Sequence, residues 1–165
     1  MKRVWAPWRM EYIADKKKSQ ECIFCVSSDH REDQEKLILY RSSYSFVMLN
    51  RYPYTNGHMM IAPFRHTADM NALSSDEMLD MFIALRLCRN ALQETAAPQG
   101  VNIGINLGKA AGAGVDEHIH IHIVPRWNGD TNFMTVIGDI RVMPENLKKS
   151  YDKLFPSFQA VRKRN

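Results

Sequence analysis

One short segment of the chain constrains its fold more than any other, because residues 118 to 124 read His-Ile-His-Ile-His-Ile-Val. Successive side chains of a β-strand point to opposite faces. The pattern therefore predicts a strand with three imidazoles on one face and three isoleucines packed against a core on the other. Burying imidazole requires hydrogen bonds or a metal, so this face indicates a functional site rather than an ordinary polar surface.

Length and composition indicate a soluble globular protein. The chain has 165 residues, of which 45% are hydrophobic and 24% charged, and we expect one domain over residues 1–165, with extensions at 1–20 and 128–165. The apolar runs are shorter than the roughly 18 residues of a membrane span, and no secretory pattern opens the sequence. We therefore expect a cytoplasmic protein that has no membrane partner.

The net charge of +4 suits a phosphate-bearing ligand, but solvated termini explain it equally well. The basic clusters lie near the two ends of the sequence, without interleaved aromatic residues, which argues against a nucleic-acid binder.

The pattern of apolar residues and turn signals predicts an α+β fold, with an antiparallel sheet and helices beside it. Ser74 and Glu77 fit a capping box that begins one long helix, ending near residue 95. A C-terminal helix is predicted from about residue 144 to 154. Strands are predicted at 36–40, 44–49, 58–62, 101–107, 118–124 and 134–137.

Two chemical interpretations of the histidine face follow from the residues alone. The imidazoles can hold a catalytic zinc ion that activates water, or one of them can be a nucleophile that its neighbours orient. The loop from 108 to 114 is rich in glycine and alanine, so its backbone N–H groups can approach an anion closely. A phosphate beside histidines favours nucleophilic attack at phosphorus, although such a loop alone would equally suit a flexible connector.

Cys22 and Cys25 are separated by two residues and form half of a tetrahedral zinc site. A structural zinc is favoured over a buried thiol pair or a redox pair, since no helix pattern begins at Cys22. The candidates for the remaining ligands are His30, His58, His66 and His118.

Three segments together resemble the histidine triad family. Residues 118–124 match its signature, His-x-His-x-His followed by two apolar residues, and the resemblance covers roughly residues 20–127. Asn50-Arg51-x-Pro53-x-x-x-Gly57-His58 resembles the family's nucleoside-binding turn, and Ala111-Gly112-x-Gly114-Val115 resembles the segment before the triad. The flanking residues 5–10 and 125–133 are most similar to the bacterial branch linked to diadenosine tetraphosphate cleavage or phosphorolysis.

The resemblance implies a histidine triad fold, a homodimer that shares a sheet, and a nucleotide or dinucleoside polyphosphate substrate. It implies that His120 attacks the α-phosphorus to give a nucleotidyl-histidine intermediate, that His122 contacts the phosphate or the leaving group, and that His118 fixes the geometry. The implied nucleotide contacts are Asn50 at the ribose, Asn106 at the scissile region, and backbone groups of Gly112, Gly114 and Val115 at the phosphate.

For the metal site, the resemblance selects Cys22, Cys25, His66 and His118 as ligands of a structural zinc. Magnesium is expected only as a companion of the polyphosphate, because no dedicated set of carboxylates is visible. Relatives that transfer nucleotidyl groups commonly carry Gln in place of the third histidine, so His122 favours release of the intermediate by water.

Other interpretations stay open at this point. They are a phosphorylase that releases the intermediate to phosphate, a nucleotide-binding signalling module with little turnover, and a metallohydrolase with zinc on all three histidines. His58 is expected near the triad, and Trp5, Trp8 and Trp127 are candidates to cover the nucleotide, although ordinary packing explains each equally well.

Overall fold

The computed structural model describes residues 22–130 and 145–162, and its elements confirm the predicted α+β class. The N-terminal extension and the strand expected at 134–137 lie outside these residues. The elements in chain order are β1 (Ile38–Arg41), β2 (Ser45–Leu49), β3 (Met59–Pro63), α1 (Ser75–Ala96), β4 (Gly100–Ile105), β5 (Ile121–Arg126) and α2 (Leu147–Arg162).

The strands form one antiparallel sheet in the order β1-β2-β3-β5-β4. Helix α1 packs across β2, β3 and β5, and α2 packs beside it against β1. The main core fills the space between helices and sheet, and a smaller apolar cluster lies around Phe24, Phe46 and Met60. That smaller cluster adjoins the segment that carries the histidines.

The predicted long helix forms with its capping box intact. The Ser74 side chain accepts a hydrogen bond from the Glu77 amide, and the Glu77 carboxylate accepts one from the Ser74 amide. Its buried stripe contains Met81, Leu85, Cys88 and Leu92. None of the helices in the described ranges is long and apolar enough to span a membrane.

Strand β5 differs at both ends from its predicted range. It begins at Ile121, so His118 and His120 lie in the extended segment just before it. It continues through Pro125, which was expected to end it. The Pro125 carbonyl accepts a hydrogen bond from Thr55 on the side away from β4. Because the nitrogen and the carbonyl of one strand residue face the same side, the proline nitrogen also faces away from β4. The hydrogen bonds between β4 and β5 therefore lose no donor at Pro125.

Helix α2 begins later and ends later than predicted. The Asn146 side chain accepts a hydrogen bond from the Lys149 amide and caps the helix, which starts at Leu147 and runs to Arg162. Burial of Leu154 and Phe158 against the core keeps the helix going past the predicted end, even though Pro156 removes one backbone donor inside it.

Candidate functional site

The site is built from the residues around the start of β5, and His118 is its first member. The His118 side chain is buried, and its Nε2 lies 2.9 Å from the carbonyl oxygen of Pro63 at the end of β3. A carbonyl only accepts, so Nε2 carries the proton and Nδ1 keeps its lone pair. That lone pair faces the sulfur of Cys22 at 3.5 Å and of Cys25 at 4.0 Å.

His120 is held by the backbone of the same segment. Its Nδ1 lies 2.8 Å from the carbonyl oxygen of His118, so Nδ1–H donates and the lone pair is on Nε2. One face of its ring stacks on Phe24, with centroids 4.5 Å apart and planes at 29°. The His120 residue is only 4% exposed, so the surrounding residues cover most of its ring.

His122 is oriented by a second histidine, His58. The Nδ1 atom of His58 accepts hydrogen bonds from the Tyr54 amide at 3.1 Å and from the Asn50 side chain at 3.3 Å, which leaves the proton on Nε2. This Nε2–H donates to Nδ1 of His122 at 3.0 Å. Neutral His122 therefore carries its proton on Nε2, and a chain of hydrogen bonds from the β2–β3 turn sets it as a donor.

The electrostatics of the site favour neutral imidazoles. Burial lowers the pKa of His118 and of His120, and the hydrogen bond that each donates to a backbone carbonyl opposes that shift. Burial, together with a smaller effect of the charge on His120, lowers the pKa of His122 to about 4. At neutral pH, His120 is thus a neutral imidazole with its lone pair on Nε2, and His122 is a neutral imidazole that can donate from Nε2.

A cavity of about 1000 Å³ opens beside His122. Its wall includes Tyr54, Asn106 and Arg126, and Gly104 lies directly opposite His122 on β4. No described atom lies within 4 Å of where a Gly104 side chain would begin, so this flank of His122 is open. The predicted residues Asn106 and His122 therefore share a cavity.

The side chain of Asn50, which the family resemblance assigns to the ribose, bonds to groups of the β2–β3 turn. Its side-chain oxygen accepts from the Tyr52 amide at 2.9 Å, and its amide nitrogen approaches His58. Both polar groups thus organise the β2–β3 turn, and the contact of Asn50 with a ribose stays a prediction.

The small-residue loop folds as a tight turn. Gly108 and Gly112 have φ of 80° and 87°, where a side chain would be strained. The amide of Gly112 donates to the Lys109 carbonyl at 3.0 Å, so this N–H is already used. Within residues 22–130 and 145–162, the amides of Gly114 and Val115 donate to no other group. The predicted phosphate contacts of this loop remain predictions.

The four residues expected to hold zinc come together. The ligand atoms of Cys22, Cys25, His66 and His118 all lie within 4.8 Å of one another, and Cys25 Sγ is 3.1 Å from Nδ1 of His66. Tetrahedral zinc with ordinary bond lengths would space its ligand atoms about 3.4 to 3.8 Å apart. Two thiols and two imidazole lone pairs at this spacing fit zinc.

Two further predicted residues lie in different places. His30 lies elsewhere, paired with Asp33. Trp127 lines the cavity beside His122, and its Nε1–H donates to the Ala96 carbonyl at the end of α1. Trp5 and Trp8 lie outside the described residues. The contact of the Phe24 ring with His120 was not predicted from the sequence. Its position between two cysteines could have indicated it, because a zinc ion bound to both cysteines would fix the residues between them.

Comparisons with known proteins place this geometry in a family. The HIT domain matches residues 31–129. The AP-4-A phosphorylase of Mycobacterium tuberculosis is 33% identical over 155 residues, which are 90% of this chain and 80% of that protein. The asymmetrical bis(5'-nucleosyl)-tetraphosphatase of Schizosaccharomyces pombe is 31% identical over 93 residues, which are 56% of this chain and 50% of that protein.

Among solved structures, a Zn-bound histidine triad family protein from Mycobacterium smegmatis is 27% identical with a TM-score of 0.66, covering 88% of this chain and 98% of that one. The range that the HIT domain matches, residues 31–129, contains the β2–β3 turn, the small-residue loop and all three histidines of the 118–124 segment. The resemblance inferred from the sequence is confirmed, and the chain belongs to the HIT domain family.

Proposed function

We propose that this protein cleaves dinucleoside polyphosphates, such as diadenosine tetraphosphate, through a nucleotidyl intermediate on His120. The observation that carries the proposal is the hydrogen bond from Nδ1–H of His120 to the His118 carbonyl at 2.8 Å, which leaves the Nε2 lone pair as the nucleophile. The substrate class rests on the names of the two relatives, AP-4-A phosphorylase and asymmetrical bis(5'-nucleosyl)-tetraphosphatase.

In the first step, the Nε2 lone pair of His120 forms a bond to the phosphorus, and the bond from that phosphorus to the bridging oxygen breaks. The electron pair leaves with the nucleotide oxygen, to which Nε2–H of His122 donates a hydrogen bond. The His120 ring gains positive charge, which the His118 carbonyl stabilises at Nδ1–H. With diadenosine tetraphosphate cleaved asymmetrically, ATP departs and an adenylyl group stays on His120.

In the second step, water attacks the same phosphorus and the phosphorus–nitrogen bond breaks. Its electron pair returns to Nε2 of His120, AMP departs, and the proton of the water passes to solvent. His122 keeps the same tautomer in both steps because His58 holds its Nδ1 at 3.0 Å. The site therefore supports both halves of the reaction without rearrangement.

We propose that zinc binds Cys22, Cys25, His66 and His118. Four protein ligands would complete its tetrahedron, so the ion supplies a cross-link rather than an open position for substrate. Burial raises the pKa of the Cys25 thiol, and the neighbouring Cys22 raises it further, so forming the Cys25 thiolate costs free energy. A divalent cation offsets that cost. Magnesium finds no support, since this cluster is the one candidate metal group within the described ranges.

Product analysis with a His120→Ala variant tests the proposed reaction. The wild type should convert diadenosine tetraphosphate to ATP and AMP, with a denaturation-stable adenylyl group trapped on the protein in a rapid quench. His120→Ala should lose both turnover and labelling while it still binds nucleotide. Equal turnover by the two proteins would eliminate the covalent route, and two equally inert proteins that bind nucleotide would indicate a signalling module.

A second candidate function is phosphorolysis, which the name of the relative aligned over 90% of this chain favours. The first step is the same, but inorganic phosphate replaces water as the acceptor. The reaction repeated with inorganic phosphate separates the two functions, since phosphorolysis yields ATP and ADP whereas hydrolysis yields ATP and AMP.

We also propose that two copies pair by sharing a sheet, as the resemblance implies, and that β4 and the outer face of α1 form the contact. In the described part of the chain, β4 pairs only with β5, which leaves its other edge without a strand. Exposed apolar side chains occur on both elements, Leu79, Phe82 and Ile83 on α1 and Ile103 on β4. Sedimentation should show a dimer that Ile103→Lys combined with Phe82→Lys converts to monomer; a wild type that sediments as monomer would refute the pairing.

A further inference from the structure

The turn between the two cysteines carries an aromatic ring into the site. The Cys25 amide donates to the Cys22 carbonyl at 3.0 Å, and this turn directs Phe24 inward. Phe24 is 1% exposed, and its ring contacts His120 at 4.5 Å and His118 at 5.4 Å between centroids. The same four-residue turn therefore offers two thiols to a metal and one ring to the nucleophile.

His120 is confined on three sides. Its Nδ1 is bound to the His118 carbonyl, its face is covered by Phe24, and the edge of its ring meets His122 at 4.8 Å with the planes at 77°. Without the Phe24 ring, only the hydrogen bond to the His118 carbonyl and the contact with His122 would oppose rotation about the Cβ–Cγ bond. Such a rotation would move the lone pair on Nε2 away from the phosphorus.

The turn itself has few other ties to the sheet. Among the described residues, the backbone hydrogen bonds of residues 22–26 are local ones, from Cys25 to Cys22 and from Val26 to Phe24. The cysteine side chains approach His66 and His118, and Phe24 packs in the smaller apolar cluster. Metal ligation and burial of Phe24 are thus the two constraints on where the ring sits.

We propose that Phe24 is a positioning residue for His120, and that metal bound by the two cysteines acts on the nucleophile through this ring. The proposal rests on the proposed function of His120. The metal site would then affect His120 by two paths. One runs through His118, whose side chain belongs to the metal cluster and whose carbonyl orients His120. The other runs through Phe24. Removing either Phe24 or the metal should loosen the same imidazole.

The test compares Phe24→Leu with Phe46→Leu. Phe46 is a matched control because it is fully buried in the same cluster, but its ring stacks on Phe64 at 5.5 Å and not on a histidine. Phe24→Leu should lower kcat on the order of 10-fold to 100-fold, the range expected for a misplaced reacting group, with KM changed less than about twofold. Phe46→Leu should lower the melting temperature but leave kcat within about twofold.

Nitrogen-15 NMR of the ligand-free protein supplies a readout that does not depend on turnover. The wild type with zinc should show His120 as one tautomer protonated at Nδ1. Phe24→Leu with a full complement of zinc should show a mixture of tautomers, and wild type stripped of zinc should show the same mixture. Removing zinc from Phe24→Leu should then lower kcat by a smaller factor than removing it from the wild type, because only the path through His118 remains.

The outcomes separate the two proposals. A single His120 tautomer and unchanged kcat in zinc-loaded Phe24→Leu would overturn the positioning role. The role would also be wrong if zinc removal lowered kcat by the same factor in Phe24→Leu as in the wild type. Inactive wild type with the predicted tautomer behaviour would refute the catalytic function while leaving the positioning role intact. If Phe24→Leu does not fold, Phe24→Met retains more side-chain volume without a flat ring and replaces it in each comparison.

Discussion

Replacing His58 with Phe tests whether the β2–β3 turn controls the chemistry of His122. His58 is fully buried, and its ring accepts from the Tyr54 amide and donates to His122 at 3.0 Å. Phe retains an aromatic ring of similar shape but can neither accept nor donate these bonds. His122 then loses the donor that sets its tautomer.

The structure supports estimates for both stability and activity. The variant loses the bonds from Tyr54 and Asn50 and the bond to His122, each with a net value of about 1 kcal/mol, and buried groups left without partners cost more. We expect unfolding in urea to show a loss of about 2 to 4 kcal/mol. Since the His122 ring would lose the bond that holds it in place as well as the donor that sets its tautomer, kcat should fall on the order of 100-fold, as expected for a misplaced reacting group.

Chromatographic assay of diadenosine tetraphosphate cleavage measures kcat, and nitrogen-15 NMR measures the His122 tautomer. His58→Gln, whose amide can both accept and donate, should recover part of the loss. His30→Phe is the control, since that side chain is 56% exposed and pairs only with Asp33 in the described contacts. If His58→Phe keeps kcat within twofold and leaves His122 in one tautomer, the orienting role of His58 is wrong.

Four further predictions concern the pKa of His122, the turn glycine Gly57 and the zinc ligands. Because the pKa of His122 is lowered to about 4, the neutral form persists well below pH 6.5, so kcat/KM should stay level from pH 7 to about pH 5; an acid limb near pH 6.5 would contradict this. The same shift means that the unfolded chain binds a proton between pH 6.5 and pH 4 that the folded chain does not, so urea unfolding should show stability decreasing as the pH falls through that range. Gly57→Ala should lower the free energy of unfolding in urea by about 1 to 3 kcal/mol, because φ is +78° and a Cβ would meet Leu92 at 3.1 Å. Gly100→Ala is the control, since a Cβ there has its nearest contact at 4.0 Å, and it should lower that free energy by less than about 0.5 kcal/mol. Cys25→Ala should reduce bound zinc after dialysis from one per chain to near zero, measured by atomic emission, and the buried Cys88→Ala should not; full zinc retention by Cys25→Ala would refute the ligand set.

Much of this protein follows from local sequence. The capping box at Ser74 and Glu77 predicted where α1 begins, because both partners lie within one helical turn. The strands of the sheet were predicted to within a few residues, since alternation along a strand is also a local property. The boundaries of β5 and α2 were less accurate, because the β4 ladder and burial of Phe158 against the core decide where those elements end.

The sequence by itself determined which residue types carry the chemistry: three alternating histidines, a cysteine pair two residues apart, and a glycine-bearing loop. Family resemblance then selected His66 and His118 as partners of the cysteines. Only the tertiary structure decided how these groups act on one another, as in the contact between Cys22 and His118 across 96 positions of the chain. It also decided the tautomers of His58, His118, His120 and His122, and the place of Phe24 against His120. The physical reason is that periodicity reports which side of its own element a residue takes, whereas hydrogen bonds and ring contacts depend on which distant backbone and side-chain atoms the fold brings within reach.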